Sequence, residues 1–193
     1  MKSIWNNIDK PKFDSLQGDI KTDVLIIGGG MCGVLCAYML KEAGVDCALV
    51  EADRICNGVT NNTTAKITLQ HGLIYDKITK RYGTEKAQLY YESQKTAMEK
   101  LKSLSAETDS DFEISNNVVY SLDDREAIEK EVRALEKIGC KAEFTQKTEL
   151  PFDIAGAVKV GEQGKFHPLK FAYAITDGLE IYENTKILEL KPH

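Results

Sequence analysis

A glycine-rich segment between an apolar run and a helical pattern constrains the fold of this chain more than any other feature. Residues 23–28 form a short run of mostly apolar, β-branched side chains that ends in glycine, which is typical of a central strand of a parallel sheet. Residues 31–43 predict a helix that Gly44 ends, and residues 45–51 predict a second strand. Strand, helix and strand together predict a βαβ unit with a right-handed crossover, and so an α/β fold.

The glycines of this unit fit the pattern G-x-G-x-x-G. Gly28 permits the sharp turn out of the strand, Gly30 leaves the backbone open to a pyrophosphate, and Gly33 lets the helix approach the strands closely. The start of the helix then directs its free N–H groups and partial positive charge at the phosphates.

An acidic residue completes this pattern. Glu51 ends the second predicted strand, 23 residues after Gly28, where a carboxylate accepts hydrogen bonds from ribose hydroxyls and repels a 2′-phosphate. The set predicts an adenine dinucleotide other than NADP and leaves FAD and NAD both open. A plain glycine-rich turn is the alternative, but it does not account for Glu51.

Composition excludes several other classes of protein. The chain has 193 residues, 42% of them hydrophobic, and a formal net charge of −5, which is typical of a soluble globular protein and not of a nucleic-acid binder. Its longest uncharged run, residues 24–40, is short for a membrane span and is broken by glycines. No apolar signal segment begins the chain and the five cysteines form no CxxC pair, so we expect reduced thiols in a cytoplasmic protein.

After Glu51 the sequence predicts a long polar loop and then an insertion. Residues 52–72 are rich in Asn and Thr, and a loop of this length in a compact domain is usually functional or disordered. The next predicted elements are helices over 73–81 and 84–106, the second of them capped by Thr84. A hairpin turning at 116–117 follows, and then a helix that a capping box at Asp123 opens and Gly139 closes. The last predicted elements are strands at 141–144 and 157–160, a helix from Pro168 to about 176, and strands at 181–182 and 187–190.

Several stretches resemble the amino-terminal part of the glycine oxidase/D-amino acid oxidase (DAO) family of FAD-dependent oxidoreductases. Those that carry the resemblance are residues 24–30, 49–51 and 58–66. Residues 166–170 resemble the family segment that leaves the substrate domain, and residues 183–187 resemble a strand whose backbone meets the adenine. Residues 63–72 are most similar to a bacterial branch in which some members carry a Rieske iron–sulfur domain.

The resemblance implies an α/β architecture in two parts. A Rossmann-like FAD/NAD(P)-binding βαβ domain would carry an inserted α+β substrate domain, and the fold would be incomplete at the carboxyl end because family members continue for about another domain. We therefore expect residues 1–107 to form the first part of the FAD-binding domain. Residues 108–163 would form the insertion, and residues 164–193 the truncated second part.

The resemblance also implies cofactor contacts residue by residue. Gly28, Gly30 and Gly33 would cradle the FAD pyrophosphate, and Glu51 would bind the adenosine ribose. The other implied contacts are Thr60 near the phosphates, Thr63 where the family often has Asn, Thr64, Ala65 where a Gly is common, Lys66 near the flavin ring, and Ile187 at the adenine through its main chain.

The implied reaction is hydride transfer to the flavin from a carbon next to an amine, followed by reoxidation of the flavin. The flavin supplies the chemistry while the protein supplies position and field, and no residue is predicted as a general base. The expected substrate is a small amine or amino acid. A Rieske or other electron-transfer domain is a further expected partner, and it would lie outside this chain because the chain contains no C-x-H pair. Two alternatives stay open: an NAD-binding dehydrogenase domain, and a non-catalytic fragment that binds a dinucleotide weakly or not at all.

The remaining cysteines and histidines have simpler interpretations. Cys32, Cys36 and Cys47 are expected to pack as small apolar residues between helix and sheet, and not to act as redox or metal ligands. His71 ends the polar loop and is a candidate to lie near a substrate, whereas His167 is expected to be a loop residue held by its neighbours.

Overall fold

The structure, a computed structural model, describes residues 3–191 and divides into two compact units. The first contains the chain up to Ala65, Ser105–Asp111 and the chain from Phe166 onward; the second contains Lys66–Leu104 and Phe112–Lys165. In chain order the elements are β1 Val24–Ile27, α1 Met31–Glu42, β2 Cys47–Val50, β3 Lys66–Ile67, α2 Tyr75–Tyr82, α3 Thr84–Ala106, β4 Glu113–Ser121, α4 Arg125–Lys137, β5 Ala142–Thr145, β6 Gly156–Lys165, α5 Pro168–Ala174 and β7 Glu180–Tyr182.

The first unit is built on a parallel sheet of order β1-β2-β7, in which Ile26 is in register with Leu49. Helix α1 connects β1 and β2 and buries Val34 and Ala37. The predicted βαβ unit is therefore confirmed. It forms because a β-branched apolar run, a glycine turn and an apolar helix follow one another closely enough for the two strands to pair.

The expected burial of two cysteines is wrong. Cys32 and Cys36 are exposed, and Met39, one helical turn further along α1, is 52% exposed on the same stripe. The helix buries Val34 and Ala37 instead, and a residue two positions from a buried one lies on the opposite side of a helix. Because α1 is apolar on nearly all sides, its composition did not show which face packs.

The second unit contains a four-stranded antiparallel sheet with β6 at its centre. Strand β4 pairs with one side of β6, and β3 and β5 pair with the other. Its core joins α2, α3 and α4 to this sheet, and it includes Tyr75, Ala87, Ile128, Leu135 and Val158, each fully buried.

The predicted hairpin at residues 116–117 is wrong, since β4 runs through this point without turning. Both halves of β4 find their partner in β6, with Ile114 opposite Gly164 and Val119 opposite Val158. The irregularity lies in β6, where Glu162 adopts φ +57° and two residues face one on β4. A β-bulge of this kind accommodates one extra residue without ending the pairing.

Other predicted elements differ at their ends. No strand forms at 187–190 within the described chain: β7 ends at Tyr182, and Leu188 and Leu190 are largely exposed. Helix α4 is capped by Asp124, whose carboxylate accepts the N–H of Ala127, and not by Asp123. Thr84 is the first residue of α3, not its cap.

The two units do not follow the predicted segment boundaries. Residues 66–104 were expected in the first part of the FAD-binding domain, but they belong to the second unit. The reason is that β3 pairs with β6 and α2 packs against α4. The functional meaning of each unit stays a prediction.

Two predicted helix boundaries are confirmed. Helix α5 begins at Pro168, and Gly139 follows the end of α4 with φ +82°. Among the helices described between residues 3 and 191, none combines the length and apolar character needed to cross a membrane.

Candidate functional site

The glycine turn between β1 and α1 has the geometry that its sequence predicted. Gly28 has φ +105°, which only glycine adopts readily, and nothing lies within 4 Å of the place where its Cβ would be. A Cβ at Gly33 would lie 1.9 Å from the carbonyl oxygen of Gly28, so α1 crosses the turn at a distance that excludes any side chain. Gly29 is also crowded, but by side chains and not by the backbone, because its Cβ would lie 2.6 Å from Cγ2 of Ile55.

The first turn of α1 opens beside Thr60. Gly30 is the N-cap residue and has no side chain with which to cap the helix. The buried Thr60 hydroxyl accepts the N–H of Met31 at 3.0 Å, and it lies 3.6 Å from the place where a Cβ of Gly30 would be. The N–H groups of a first turn have no acceptor within the helix, so this end of α1 presents donors and partial positive charge.

Glu51 lies against the same turn. One of its carboxylate oxygens accepts the N–H of Gly29 at 2.7 Å, and the other accepts the N–H of Asp53 at 2.9 Å. Each carboxylate oxygen has a further lone pair, so the half-buried group can also accept hydroxyl donors. Open glycines, helix N–H groups and an adjacent carboxylate fit a diphosphate followed by a sugar.

The residues after β2 close on the glycine turn through a buried acid that sequence reasoning missed. Glu183 is 1% exposed, and its carboxylate accepts the N–H of Ile55 at 2.8 Å and pairs with Nε of Arg54 at 2.9 Å. The next N–H, of Cys56, donates to the carbonyl of Gly29 at 2.8 Å. The only sequence signal was an acidic residue directly after an apolar strand, which does not identify its distant partners.

Cys56 occupies a strained and buried position in this loop. Its φ is +58°, and burial, with smaller contributions from the charges of Glu51 and Glu183, raises the pKa of its thiol to about 12. The thiol is therefore protonated at neutral pH and is a poor nucleophile.

The segment that follows holds four more of the predicted contact residues. Thr63 accepts the N–H of Ala65 through its hydroxyl at 3.2 Å, and Thr64 is exposed. Ala65 is buried with φ +55°, the left-handed region that favours glycine. A glycine, which the family resemblance makes common at this position, would adopt this backbone conformation readily, and Ala65 adopts it here. Lys66 is exposed and begins β3 in the second unit.

Ile187 lies in the irregular segment after β7. It is half-buried, and two residues before it the N–H of Thr185 donates to the carbonyl of Glu51 at 2.8 Å. Within the first unit, then, the structure brings Gly28, Gly30, Gly33, Glu51 and Thr60 together, and it brings the backbone of 183–185 beside Glu51. The cofactor contacts of Thr63, Thr64, Ala65, Lys66 and Ile187 stay predictions.

The two internal histidines have different surroundings. His71 is exposed, and its place near a substrate stays a prediction. His167 caps α5 through Nδ1, which accepts the N–H of Lys170 at 3.2 Å, and burial lowers the pKa of its imidazole. It is held by its neighbours, as expected. No group of His, Cys, Asp or Glu among residues 3–191 is arranged to hold a metal ion.

Comparison with known proteins identifies the class of protein that this fold and site define. Residues 23–193 match the DAO family of FAD dependent oxidoreductases. The chain therefore belongs to this family, whose cofactor is FAD, and the prediction of family and cofactor is confirmed at that level.

The individual relatives are longer proteins than this chain. It is 35% identical over 200 residues to YhfW of Bacillus subtilis, whose name describes it as a Rieske 2Fe-2S iron-sulfur protein; the match covers 98% of this chain and 39% of YhfW. Its fold is similar to that of L-proline dehydrogenase from P. horikoshii, with a TM-score of 0.67, 21% identity, and coverage of 85% of this chain and 44% of that one. Glycine oxidase from Bacillus cereus gives a TM-score of 0.60, 22% identity, and coverage of 90% and 50%. The chain thus spans less than half of the length of YhfW.

Proposed function

We propose that this chain is the amino-terminal, FAD-binding part of an oxidoreductase that oxidises small amines or amino acids at the carbon next to nitrogen. The observation that carries the proposal is the open glycine turn with the Glu51 carboxylate hydrogen-bonded beside it, in a chain of the FAD dependent oxidoreductase family. Gly28 and Gly33 also serve the turn and the close packing of α1, whereas the open place at Gly30 and the carboxylate of Glu51 beside it serve a dinucleotide.

The chain's own residues would bind and orient the cofactor. Gly28, Gly30 and Gly33 would leave room for the diphosphate at the positive end of α1, and Thr60 would stand beside it. Glu51 would accept hydrogen bonds from the ribose hydroxyls with the lone pairs that its two backbone donors leave free.

The contacts nearer the flavin ring rest on the family resemblance. Thr63, Thr64, Ala65 and Lys66 would approach the ring, and the main chain of Ile187 would approach the adenine. FAD, when bound, supplies the acceptor for a hydride from the substrate carbon. The chain itself would supply position and a local field, and we assign no residue as general base.

The substrate class and partners are also proposals. Structures of similar fold include enzymes named for L-proline and glycine, and these names support a small amino acid or amine as substrate. The name of YhfW supports a Rieske domain, outside this chain, as electron-transfer partner. Five free cysteines and relatives from bacteria support a bacterial protein located in the cytoplasm.

A single substitution tests the cofactor site without disturbing the fold. A methyl group at Gly30 would meet only the Thr60 hydroxyl, at 3.6 Å, so we expect Gly30→Ala to fold normally while its methyl fills the space for the diphosphate. The expected result is FAD affinity weaker by at least about tenfold, from the loss of roughly one or two hydrogen bonds to a charged group. FAD affinity is measured by fluorescence anisotropy, in this chain and in a longer form extended at the carboxyl end to the length of its relatives.

The control is Gly161→Ala, because a methyl group there also meets one polar atom at 3.6 Å, but in the second unit. Its FAD affinity should equal that of the unsubstituted chain. Tight FAD binding by Gly30→Ala would contradict the proposed site. Binding of NAD in preference to FAD would favour the dehydrogenase alternative, and no dinucleotide binding by either length of chain would favour the non-catalytic alternative.

A further inference from the structure

The amino-terminal arm, defined as residues 3–14, lies outside the part of the chain that matches the family, which begins at residue 23. It is nevertheless bonded at several points to the loops around the glycine turn. Its contacts lie within the first unit, and the residues that receive or provide them are Asn61, Thr63, Arg54 and Glu183.

One end of the arm holds the loop that contains Thr60. Trp5 donates its indole N–H to the carbonyl of Thr63 at 2.9 Å, and the Ser3 hydroxyl donates to the carbonyl of Asn61. The indole also packs edge-to-face on the imidazole of His167, with ring centres 5.1 Å apart. The backbone carbonyls of Asn61 and Thr63, within three residues of Thr60, therefore accept hydrogen bonds from side chains of the arm.

The other end of the arm holds the loop that closes on Gly29. Arg54 donates to the carbonyl of Pro11 at 2.6 Å, and the N–H of Phe13 donates to the carboxylate of Glu183 at 3.3 Å. The N–H of Glu183 returns a hydrogen bond to the carbonyl of Asp14 at 3.2 Å. Both loops that flank the glycine turn are thus tied to the same arm.

We propose that the amino-terminal arm is a positioning element of the cofactor site, and that Trp5 is its principal residue. This inference rests on the proposed function. A loop that is ordered before the ligand arrives does not have to lose its conformational freedom on binding, so affinity is higher when the loop is held in place. Trp5 and Ser3 would hold the segment from Thr60 to Ala65 in the form that binds FAD.

The chain provides a matched set of variants for this inference. Trp5→Phe keeps an aromatic ring against His167 but removes the N–H that Thr63 accepts. Ile4→Ala lies on the same 3₁₀ turn, where Ile4 is 79% exposed, and serves as the control. Ser3→Ala removes the neighbouring contact to Asn61 and tests the same loop if Trp5→Phe folds poorly.

Two measurements are made on each variant. The first is hydrogen exchange of residues 60–65 in the FAD-free protein, which we expect to be several-fold faster in Trp5→Phe and unchanged in Ile4→Ala. The second is FAD affinity, which we expect to fall about five- to tenfold in Trp5→Phe and less in Ser3→Ala, as loss of one hydrogen bond predicts. FAD affinity of every variant is measured by fluorescence anisotropy. Trp5 is the single tryptophan of the chain, so in the unsubstituted chain, Ser3→Ala and Ile4→Ala the quenching of its emission by added FAD also reports binding at this loop.

The outcomes separate this inference from the proposed function. If Trp5→Phe and Ser3→Ala bind FAD as tightly as the unsubstituted chain, the inference is overturned and the FAD site remains. If a folded, unsubstituted chain does not bind FAD, the proposed function fails and the inference fails with it. Equal loss of affinity in Ile4→Ala would also overturn the inference, because the hydrogen bonds to Thr63 and Asn61 would then explain none of the effect.

Discussion

At the scale of single residues, Ala65 departs from the family pattern and has a strained backbone conformation. It is 3% exposed, and its φ of +55° is a conformation that costs an alanine about 1 kcal/mol relative to glycine. Its N–H is held by Thr63 and its carbonyl accepts the N–H of Phe166. The surrounding hydrogen bonds therefore impose the conformation, and the side chain accommodates it.

Two substitutions at this position should affect stability to very different extents. Ala65→Gly relieves the strain in the folded protein, but it also stabilises the unfolded chain by about 0.4 to 1 kcal/mol through greater conformational entropy. Because these two effects nearly cancel, the free energy of unfolding should change by less than about 0.5 kcal/mol. Ala65→Val places a β-branched side chain at the same φ and should lower it by about 2 kcal/mol. Urea unfolding measures both, and equal stability of Ala65→Val and the unsubstituted chain would contradict the account.

At the scale of elements, helix α2 begins without a side-chain cap of its own. The cap comes from α4, where Glu131 is fully buried and its carboxylate accepts the N–H groups of Ile74, Tyr75 and Asp76 at 2.9 to 3.0 Å. One buried charge thus satisfies three donors that the first turn of α2 leaves free. This contact joins two helices of the second unit and orients α2.

Glu131→Gln tests this cap. The amide can accept with only one atom and presents an NH₂ group to the remaining donors, so we expect the free energy of unfolding to fall by about 2 to 3 kcal/mol. Glu136→Gln on the same helix is the control, because Glu136 is exposed and should change stability by less than about 0.5 kcal/mol. A similar loss in both variants, measured by urea unfolding, would argue against the cap.

At the scale of the whole molecule, several buried groups make stability depend on alkaline pH. Burial raises the pKa of Cys56 to about 12, and it raises the pKa of Tyr91 and of Tyr173 to about 12 as well. Because each folded-state pKa lies above the unfolded value, these groups favour the folded protein fully below about pH 9 and lose that contribution as pH rises toward 12.

Stability should therefore be constant up to about pH 9 and then fall, with a slope of up to about 1.4 kcal/mol per pH unit for each group. Urea unfolding between pH 8 and about pH 11 measures the slope. In Cys56→Ala the slope should be smaller over this range, because one titrating group has been removed. An unchanged slope in that variant would show that the thiol ionises equally in the folded and unfolded chains.

Local sequence determined the βαβ unit and the glycine turn, since each depends on residues within about 30 positions of one another, whereas the family was indicated by several separate stretches along the chain. The start of α5 at Pro168 and the end of α4 before Gly139 could be predicted for the same reason, because proline and glycine each restrict or permit particular conformations of their own backbone. The glycine turn and Glu51 were identified together because the pairing of β1 with β2 makes them neighbours.

Only the tertiary structure decided the rest, because the deciding partners are distant in sequence. Asn116 and Asn117 continue a strand because β6 pairs on both sides of them. Cys32 and Cys36 are exposed because the sheet selects another face of an evenly apolar helix. The hydrogen bond from Trp5 to Thr63 joins residues 58 positions apart, and the one from Ile55 to Glu183 joins residues 128 positions apart. No local sequence pattern predicts hydrogen bonds over such separations.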